Sequence, residues 1–252
     1  MRLVKWITLP AMLLVCAALL IDSPAARADV SASDMSKPTN HFYFLTPGSI
    51  DFKTLLTPPP ANNSFVTHAE INWMLELQNT RTAEQIARAK REVNLNPFLF
   101  SNVLGSWFNP DDLPITTQLL RQASNDTSII SYTAKNFFAR PRPYTLDPRL
   151  KPCVKLESSF SYPSGHSSHA IVWGIILSTM FPERRDAIMA RAYQIGDDRV
   201  IGGVHFPSDV AAGHVLGYAI AAALLANPEF QADMEKAKQE CLADPKFSEL
   251  NH

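Results

Sequence analysis

Apolar residues recur every three or four positions along most of the chain after residue 64, which is the spacing of helices with one buried face. No stretch sustains the apolar–polar alternation of a strand, so the pattern predicts an all-α, single-domain helical bundle. The segment 114–138 fits either one long helix or two helices broken near residues 124–126. Helices are predicted over 65–77, 82–93, 114–138, 166–180, 184–199, 209–226 and 228–242.

The first 28 residues have the pattern of a secretory signal. Arg2 and Lys5 precede the apolar run Trp6–Ile21, and the small residues Ala26 and Ala28 mark a cleavage site. The apolar run is short for a membrane span, which needs about 20 residues. We therefore expect cleavage after Ala28, export to the periplasm, and no membrane anchor in the mature chain.

Residues 29–63 lack a helical pattern and contain the stiff sequence Thr57-Pro58-Pro59-Pro60. This segment is predicted to be an extended N-terminal arm that wraps the helical domain, residues 64–252. Small residues in the predicted helix 209–226, among them Gly213 and Gly217, allow close packing of helices. Its apolar face is also compatible with a homodimer or a higher homo-oligomer.

The charge and the cysteine content limit which binding partners and which cellular compartment fit the chain. The chain has 23 Lys and Arg residues, 24 Asp and Glu residues and a net charge of −1, which becomes about −3 after signal cleavage. A mildly acidic chain argues against nucleic acid as a partner. Two cysteines remain after cleavage, Cys153 and Cys241, and an oxidising compartment predicts one disulfide between them. The alternative is two free buried thiols.

Three short blocks in the second half of the chain carry candidate chemistry. They fix ten residue types, for which an accidental match at roughly one chance in twenty each is negligible. Alone, each block has a structural explanation, such as a capped core helix or a surface loop. The blocks are Lys135-(six residues)-Arg142-Pro143, Pro163-Ser164-Gly165-His166, and Arg199-(five residues)-His205-(three residues)-Asp209.

Five of these residues are suited to binding the oxygens of a phosphoryl group. Ser164 is a good N-cap, and Gly165 in the first turn lets an anion approach the free N–H groups of the helix. Arg142 and Arg199 each present a planar fork of donors, and Lys135 contributes a point charge. Arg140 lies out of register with Arg142, and we expect it at the surface or behind the binding groups.

The remaining motif residues are suited to nucleophilic attack and proton transfer. Asp209, four residues after His205, can accept its N–H and so fix the tautomer of a nucleophilic imidazole. His166 can pass a proton to a leaving oxygen. The other histidines, such as His169 and His214, are expected to pack or cap, and no spacing suggests a zinc site.

These blocks resemble the signature of the type 2 phosphatidic acid phosphatase (PAP2) superfamily, and more closely a bacterial class A non-specific acid phosphatase. The resemblance covers nearly the whole mature chain. It includes Tyr43-Phe44-Leu45, Leu55-Leu56-Thr57-Pro58-Pro59-Pro60, Ser161-Tyr162-Pro163-Ser164-Gly165-His166, and Arg199-Val200-Ile201-Gly202-Gly203 leading to His205.

The resemblance implies a secreted acid phosphatase that hydrolyses many small phosphomonoesters, with phosphotransfer to alcohols as a side activity. It implies that His205 becomes phosphohistidine, that Asp209 orients it, and that His166 is the acid and then the base. The implied phosphate ligands are Lys135, Arg142, Ser164, Gly165 and Arg199, with neither a metal nor another cofactor. An acidic optimum requires a protonated His166 beside a neutral His205, so the site must separate two imidazole pKa values.

One position departs from the family pattern. Asp198 stands immediately before Arg199, where the family usually has Ser. A carboxylate here either weakens anion binding or shifts the pH optimum, or, as part of a solvated Asp197-Asp198 pair, points to solvent.

Three alternatives remain open from the sequence. A vanadium-dependent haloperoxidase has a similar cluster but a longer chain. A membrane lipid phosphatase of the same superfamily needs several membrane spans. A phosphate-binding protein without turnover needs neither His166 nor His205.

Overall fold

A computed structural model describes residues 38–249, and the predicted signal lies outside the described residues. No strand is present in this range, which confirms the predicted all-α class. The α-helices are α1 (Phe52–Leu55), α2 (Phe65–Thr80), α3 (Ala83–Arg91), α4 (Ser101–Leu104), α5 (Pro114–Phe138), α6 (Pro143–Leu146), α7 (Gly165–Met180), α8 (Arg185–Ile201), α9 (Pro207–Ala226), α10 (Pro228–Ala243) and α11 (Pro245–Glu249), with 3-10 helices at Pro97–Phe100 and Pro182–Arg184.

Every helix predicted from the apolar pattern is present, with ends that differ by a few residues. The segment 114–138 forms one continuous helix, which decides between the two possibilities that the sequence allowed. The short helices α1, α4, α6 and α11 were not predicted. Helices of four or five residues complete barely one turn, so apolar spacing cannot reveal them.

Helix α7 is the centre of the bundle and packs against α8 on one side and α9 on the other. Its contact with α9 is close because α9 presents glycines to it. A Cβ atom added at Gly213 would lie 2.6 Å from the Ser164 carbonyl oxygen, and one at Gly217 would lie 2.7 Å from that of Ser168. The main-chain N–H of Ser164 also donates to the carbonyl of Asp209 at 2.9 Å. The first turns of the two helices are therefore held side by side.

Helix α9 is also the one helix of the described residues that is long and apolar enough to cross a membrane. Half of its apolar window is buried inside the protein. A core helix of a bundle can have the same length and composition, so these two properties do not distinguish a membrane span from a core helix.

The described part of the N-terminal segment, residues 38–63, lies along α5. The carboxylate of Asp126, buried in the middle of α5, accepts the main-chain N–H groups of Tyr43, Phe44 and Leu45 at 2.8, 2.9 and 2.9 Å. Asn125 holds the chain just before them through Thr39 at 2.6 Å. These polar residues interrupt the apolar pattern of α5 because they bind another segment, and they do not break the helix.

The predicted disulfide between Cys153 and Cys241 is absent from the structure, where both residues are free thiols. Cys153 lies on the loop beside the end of α8, with its sulfur 3.8 Å from the Ile201 carbonyl oxygen. Cys241 is buried on α10, with its sulfur 3.4 Å from the hydroxyl of Thr116 on α5. Each thiol therefore packs against a different part of the bundle.

Candidate active site

Four chain segments bring the eight predicted site residues together. Helix α5 carries Lys135 in its last turn and ends at Ala139, whose φ of 48° is left-handed and turns the chain toward Arg142. Ser164 is the N-cap of α7 and accepts the N–H of Ser167 at 3.3 Å, which leaves Gly165 and His166 in the first turn. Arg199 lies in the last turn of α8, and Asp209 in the first turn of α9.

The buried imidazole of His205 is fixed at both nitrogens. Its Nδ1 lies 3.2 Å from Oδ2 of Asp209, and its Nε2 lies 2.9 Å from Nη1 of Arg142. A guanidinium only donates, so Nε2 accepts and Nδ1 carries the proton. The geometry therefore gives a neutral imidazole whose lone pair on Nε2 faces a cation, as the sequence predicted for a nucleophile.

The carboxylate of Asp209 is completely buried and accepts several donors besides the imidazole. Arg140 donates at 2.6 Å and the main-chain N–H of Phe206 at 2.9 Å, and the hydroxyl of Ser161 donates as well. Arg140 is itself buried, pairs with Glu70 at 3.0 Å, and lies over the Phe206 ring. Of the two positions predicted for Arg140, the structure therefore shows the second, behind the binding groups, where it holds Asp209.

Arg142 and Arg199 are buried, and they differ in how their donors are used. Arg142 donates to the carbonyls of Ser159 and Val204 at 2.9 and 2.8 Å. Glu157 accepts one N–H from each arginine, at 2.8 Å from Arg142 and 2.9 Å from Arg199. Among the described residues, Nε and Nη1 of Arg199 have no hydrogen-bond partner. Buried donors without partners are costly, so these two nitrogens mark a place for an anion.

Lys135 is buried beside the start of α7. Its Nζ donates to the carbonyls of Phe160 and Ser161 at 2.7 and 3.2 Å, and its Cε lies 3.7 Å from where a Cβ of Gly165 would be. Burial first, and then the charge of Arg142, lowers the pKa of Lys135 to about 7. A bound anion favours the ammonium form, so anion binding and protonation of this lysine reinforce each other.

His166 lines the cavity and is held by the main chain. Its Nε2 lies 3.1 Å from the carbonyl oxygen of Glu92, and because a carbonyl only accepts, Nε2 is the donor. Burial and the charge of Arg199 hold the pKa of His166 well below its ordinary value. The pKa of His205 is lowered in the same direction by burial, then by Arg142 and Lys135. In the substrate-free site both shifts therefore favour the neutral imidazole.

Asp198 does not point to solvent, so its interpretation as half of a solvated pair is wrong. Its buried carboxylate accepts Nε and Nη2 of Arg88 at 2.6 and 2.8 Å. Glu92 is buried nearby, pairs with Arg191 at 2.6 Å, and has its pKa raised to about 7 by burial and by the charge of Asp198. Asp198 is thus bound to Arg88 and takes no part in binding Arg199.

The site opens into a cavity of about 390 Å³. His169 lies in its wall and is fixed by Ser128 at 2.9 Å and by the Gly165 carbonyl at 2.8 Å, as expected for a packing residue. Within residues 38–249, no group of three His, Cys, Asp or Glu residues is placed to hold a metal ion. The lining residues are Val93, Leu95, Ser128, Ser131, Tyr132, Lys135, Lys155, Leu156, Glu157, Ser158, Ser159, Gly165, His166 and His169.

Comparison with known proteins places this arrangement in a family. A sequence profile of the PAP2 superfamily matches residues 123–232, which contain all eight site residues. A non-specific acid phosphatase of Providencia stuartii is 31% identical over 89% of this chain and 94% of that protein. Another, of Salmonella typhimurium, is 29% identical over 76% of this chain and 80% of that protein. The chain belongs to the PAP2 superfamily and, within it, to the non-specific acid phosphatases.

A solved structure supports the fold. A bacterial vanadium-dependent chloroperoxidase superposes with a TM-score of 0.60 at 12% identity, over 79% of this chain and 54% of that chain. This chain thus spans about half the length of that peroxidase. At this level of identity, the likeness concerns the arrangement of helices alone.

Proposed function

We propose that this protein is a secreted, metal-independent acid phosphatase that hydrolyses small phosphomonoesters through a phosphohistidine on Nε2 of His205. One observation carries the proposal: the lone pair of Nε2 faces a pocket of buried cations in which two donors of Arg199 have no partner. We call Lys135, Arg142 and Arg199 the cation pocket. A phosphoryl group bound there satisfies the unpartnered donors and lies in reach of the nucleophile.

In the first step, Nε2 of His205 attacks phosphorus, and the bond from phosphorus to the leaving oxygen breaks. His166 gives that oxygen a proton, and Nδ1 carries it because Nε2 already donates to Glu92. The cation pocket and the N–H groups at the start of α7 stabilise the charge on the phosphoryl oxygens. In the second step, neutral His166 takes a proton from water, water attacks phosphorus, and inorganic phosphate leaves as the bond to Nε2 breaks.

An acidic optimum follows from the two lowered imidazole pKa values. His205 stays neutral well below its ordinary pKa and so remains a nucleophile in acid. His166 must be protonated to act as the acid, and its lowered pKa makes that form scarce at neutral pH. Acidic pH and the negative charge of a bound phosphate both favour protonated His166.

A broad substrate range is supported by the wall of the cavity on the leaving-group side. Val93, Leu95 and Leu156 present apolar side chains to the cavity, and Ser128 and Ser131 present hydroxyl groups, so the wall offers general contacts to leaving groups of different shape. Any alcohol that enters in place of water receives the phosphoryl group, so phosphotransfer is part of the proposal. Secretion is proposed from residues 1–28, and sequencing the N-terminus of the exported protein tests whether it begins at Asp29.

The direct test is hydrolysis of p-nitrophenyl phosphate at acidic pH in the presence of EDTA. We expect turnover by the wild type and a loss of at least about 10³-fold in His205→Ala, because the nucleophile is removed. His68→Ala is the matched control, since His68 is exposed on α2. Acid-quenched wild-type protein should carry one acid-labile phosphoryl group, and the His205 variant none.

Two results would contradict the proposal. Loss of wild-type turnover in EDTA would mean that the reaction needs a metal ion. Equal turnover by His205→Ala and the wild type would mean that another group attacks phosphorus.

A further inference from the structure

One carboxylate joins the two arginines of the cation pocket. Oε2 of Glu157 lies 2.8 Å from Nη2 of Arg142, and Oε1 lies 2.9 Å from Nη2 of Arg199. The arginine side chains are 3% and 1% exposed, whereas that of Glu157 is 28% exposed and lines the cavity. The carboxylate therefore reaches the arginines from the side by which a substrate enters.

The carboxylate of Glu157 binds the two arginines in the way that a phosphate would. A carboxylate presents two oxygens on a negatively charged group, and here each oxygen takes an N–H from a different guanidinium. An edge of a phosphoryl group presents the same kind of oxygen pair, and arginine forks bind both groups by the same donors. Nη2 of Arg142 gives its two N–H groups to Glu157 and to the hydroxyl of Ser159, at 2.8 and 3.0 Å, so a phosphoryl group on Arg142 competes with Glu157 for a donor.

From this we infer that Glu157 occupies the phosphoryl site of the free enzyme and lowers its affinity for substrate phosphate and released phosphate alike. The inference rests on the proposed function, because it takes Arg142 and Arg199 to be phosphate ligands. A phosphoryl group at Nε and Nη1 of Arg199 gains the Arg142 donor only when the carboxylate has moved aside. The rarer that open state is, the higher the apparent dissociation constant for phosphate.

The surroundings of Glu157 allow the side chain to move without the main chain. Its carbonyl accepts the hydroxyl of Tyr144 at 2.9 Å, which holds the backbone. Among the described residues, its carboxylate makes hydrogen bonds and ion pairs with Arg142 and Arg199 alone. Rotation of the side chain therefore releases both arginine donors at once.

A carboxylate in this position also has a use in the empty site. Two buried guanidinium groups repel each other, and without an anion they would tend to separate or admit water. Glu157 neutralises this repulsion and holds them in place until phosphate replaces it. If this support were its whole role, removing it would weaken phosphate binding, whereas competition predicts tighter binding. The two roles therefore differ in the sign of one measurement.

The experiment is a calorimetric titration of inorganic phosphate into the full mature protein at one fixed pH and ionic strength. Glu157→Gln keeps the size of the side chain and removes its charge, so we expect the dissociation constant for phosphate to fall at least about tenfold. Glu183→Gln removes the same charge from an exposed residue of the Pro182–Arg184 turn, and should stay within about twofold of the wild type. Thermal unfolding of each protein verifies that it is folded.

A second variant keeps the test valid if Glu157→Gln does not fold. Glu157→Asp retains the charge on a shorter side chain that cannot span both arginines, and its dissociation constant should lie between those of the wild type and Glu157→Gln. Unchanged, weaker or undetectable phosphate binding by the folded variants would overturn the inference. Turnover of p-nitrophenyl phosphate by the wild type, measured in parallel, tests the proposed function separately from this competition.

Discussion

The two imidazoles of the site are held in different ways. His205 is oriented by a side chain, the carboxylate of Asp209 four residues later in the first turn of α9. His166 is oriented by the main chain, through the carbonyl of Glu92 on a distant segment, 74 residues earlier. A side-chain partner at fixed spacing leaves a pattern in the sequence and is open to substitution. A main-chain partner leaves no pattern, and substitution of its side chain does not remove it.

The charges around the two partners also differ. The carboxylate of Asp209 turns into the site, where Arg140 and Ser161 hold it against His205. The carboxylate of Glu92 is buried and pairs with Arg191. Substitution near His205 should therefore act on catalysis, and substitution near His166 should act on stability and its dependence on pH.

The strongest test of this difference is Asp209→Asn. The amide can present N–H groups to His205 and no longer fixes its proton on Nδ1, so the lone pair of Nε2 is lost in part of the molecules. We expect kcat for p-nitrophenyl phosphate to fall by about 10²- to 10⁴-fold. The measurement is steady-state kinetics at the pH optimum of each protein.

Thermal unfolding serves as the control for Asp209→Asn. A variant that stays folded and retains more than a tenth of the wild-type kcat would show that orientation by Asp209 matters little. Orientation of His205 by a side chain would then matter no more for catalysis than orientation of His166 by the main chain.

Arg140→Met is expected to have a smaller effect on turnover, because Arg140 acts through Asp209. Removing it leaves the buried carboxylate of Asp209 and the partly buried carboxylate of Glu70 without their cation. Breaking a buried pair in this way costs about 3 kcal/mol of the free energy of unfolding. We expect kcat to fall by about 10- to 100-fold with little change in KM, since the phosphate ligands are intact.

The pH profile separates a positioning role of Arg140 from a purely structural one. Without the guanidinium, Asp209 loses a partner that holds it against His205, so the acidic limb of the kcat profile should move. Arg140→Lys, which restores a cation, should recover part of the rate. If Arg140→Met only destabilised the fold and left the pH profile of kcat unshifted, the role of Arg140 would be purely structural.

The difference between local and distant partners also explains which features could be predicted from the sequence. The long helices were predictable because the spacing of apolar residues is local, and the eight candidate site residues were found because they lie in three short motifs. The position of Arg140 was left open between two possibilities because its partners, Glu70 and Asp209, lie about 70 residues away on either side. The role of Glu157 and the pairing of Asp198 with Arg88 likewise depend on contacts between distant segments. Such contacts follow from the packing of helices, which the spacing of apolar residues does not specify.

The smallest expected effect comes from Glu92→Gln and concerns stability. The pKa of Glu92 is raised from an ordinary value of 4.5 to about 7, because burial and Asp198 oppose its ionisation. The folded state therefore keeps a proton that the unfolded chain releases between these two values. The stability contributed by protonated Glu92 is complete below pH 4.5 and is lost as the pH rises through 7, by roughly 3 kcal/mol. Glutamine does not ionise, so the variant escapes this loss.

Urea unfolding of the wild type and of Glu92→Gln at pH 5 and pH 8 measures this difference. The variant should gain stability relative to the wild type on going from pH 5 to pH 8, while His166 and His205 titrate alike in both proteins and cancel. Glu76→Gln, an exposed position on α2, should run parallel to the wild type. Because the Glu92 carbonyl remains in the variant, its kcat should fall far less than that of Asp209→Asn. Parallel stability curves for Glu92→Gln and the wild type would show that this carboxylate ionises as freely as one in water.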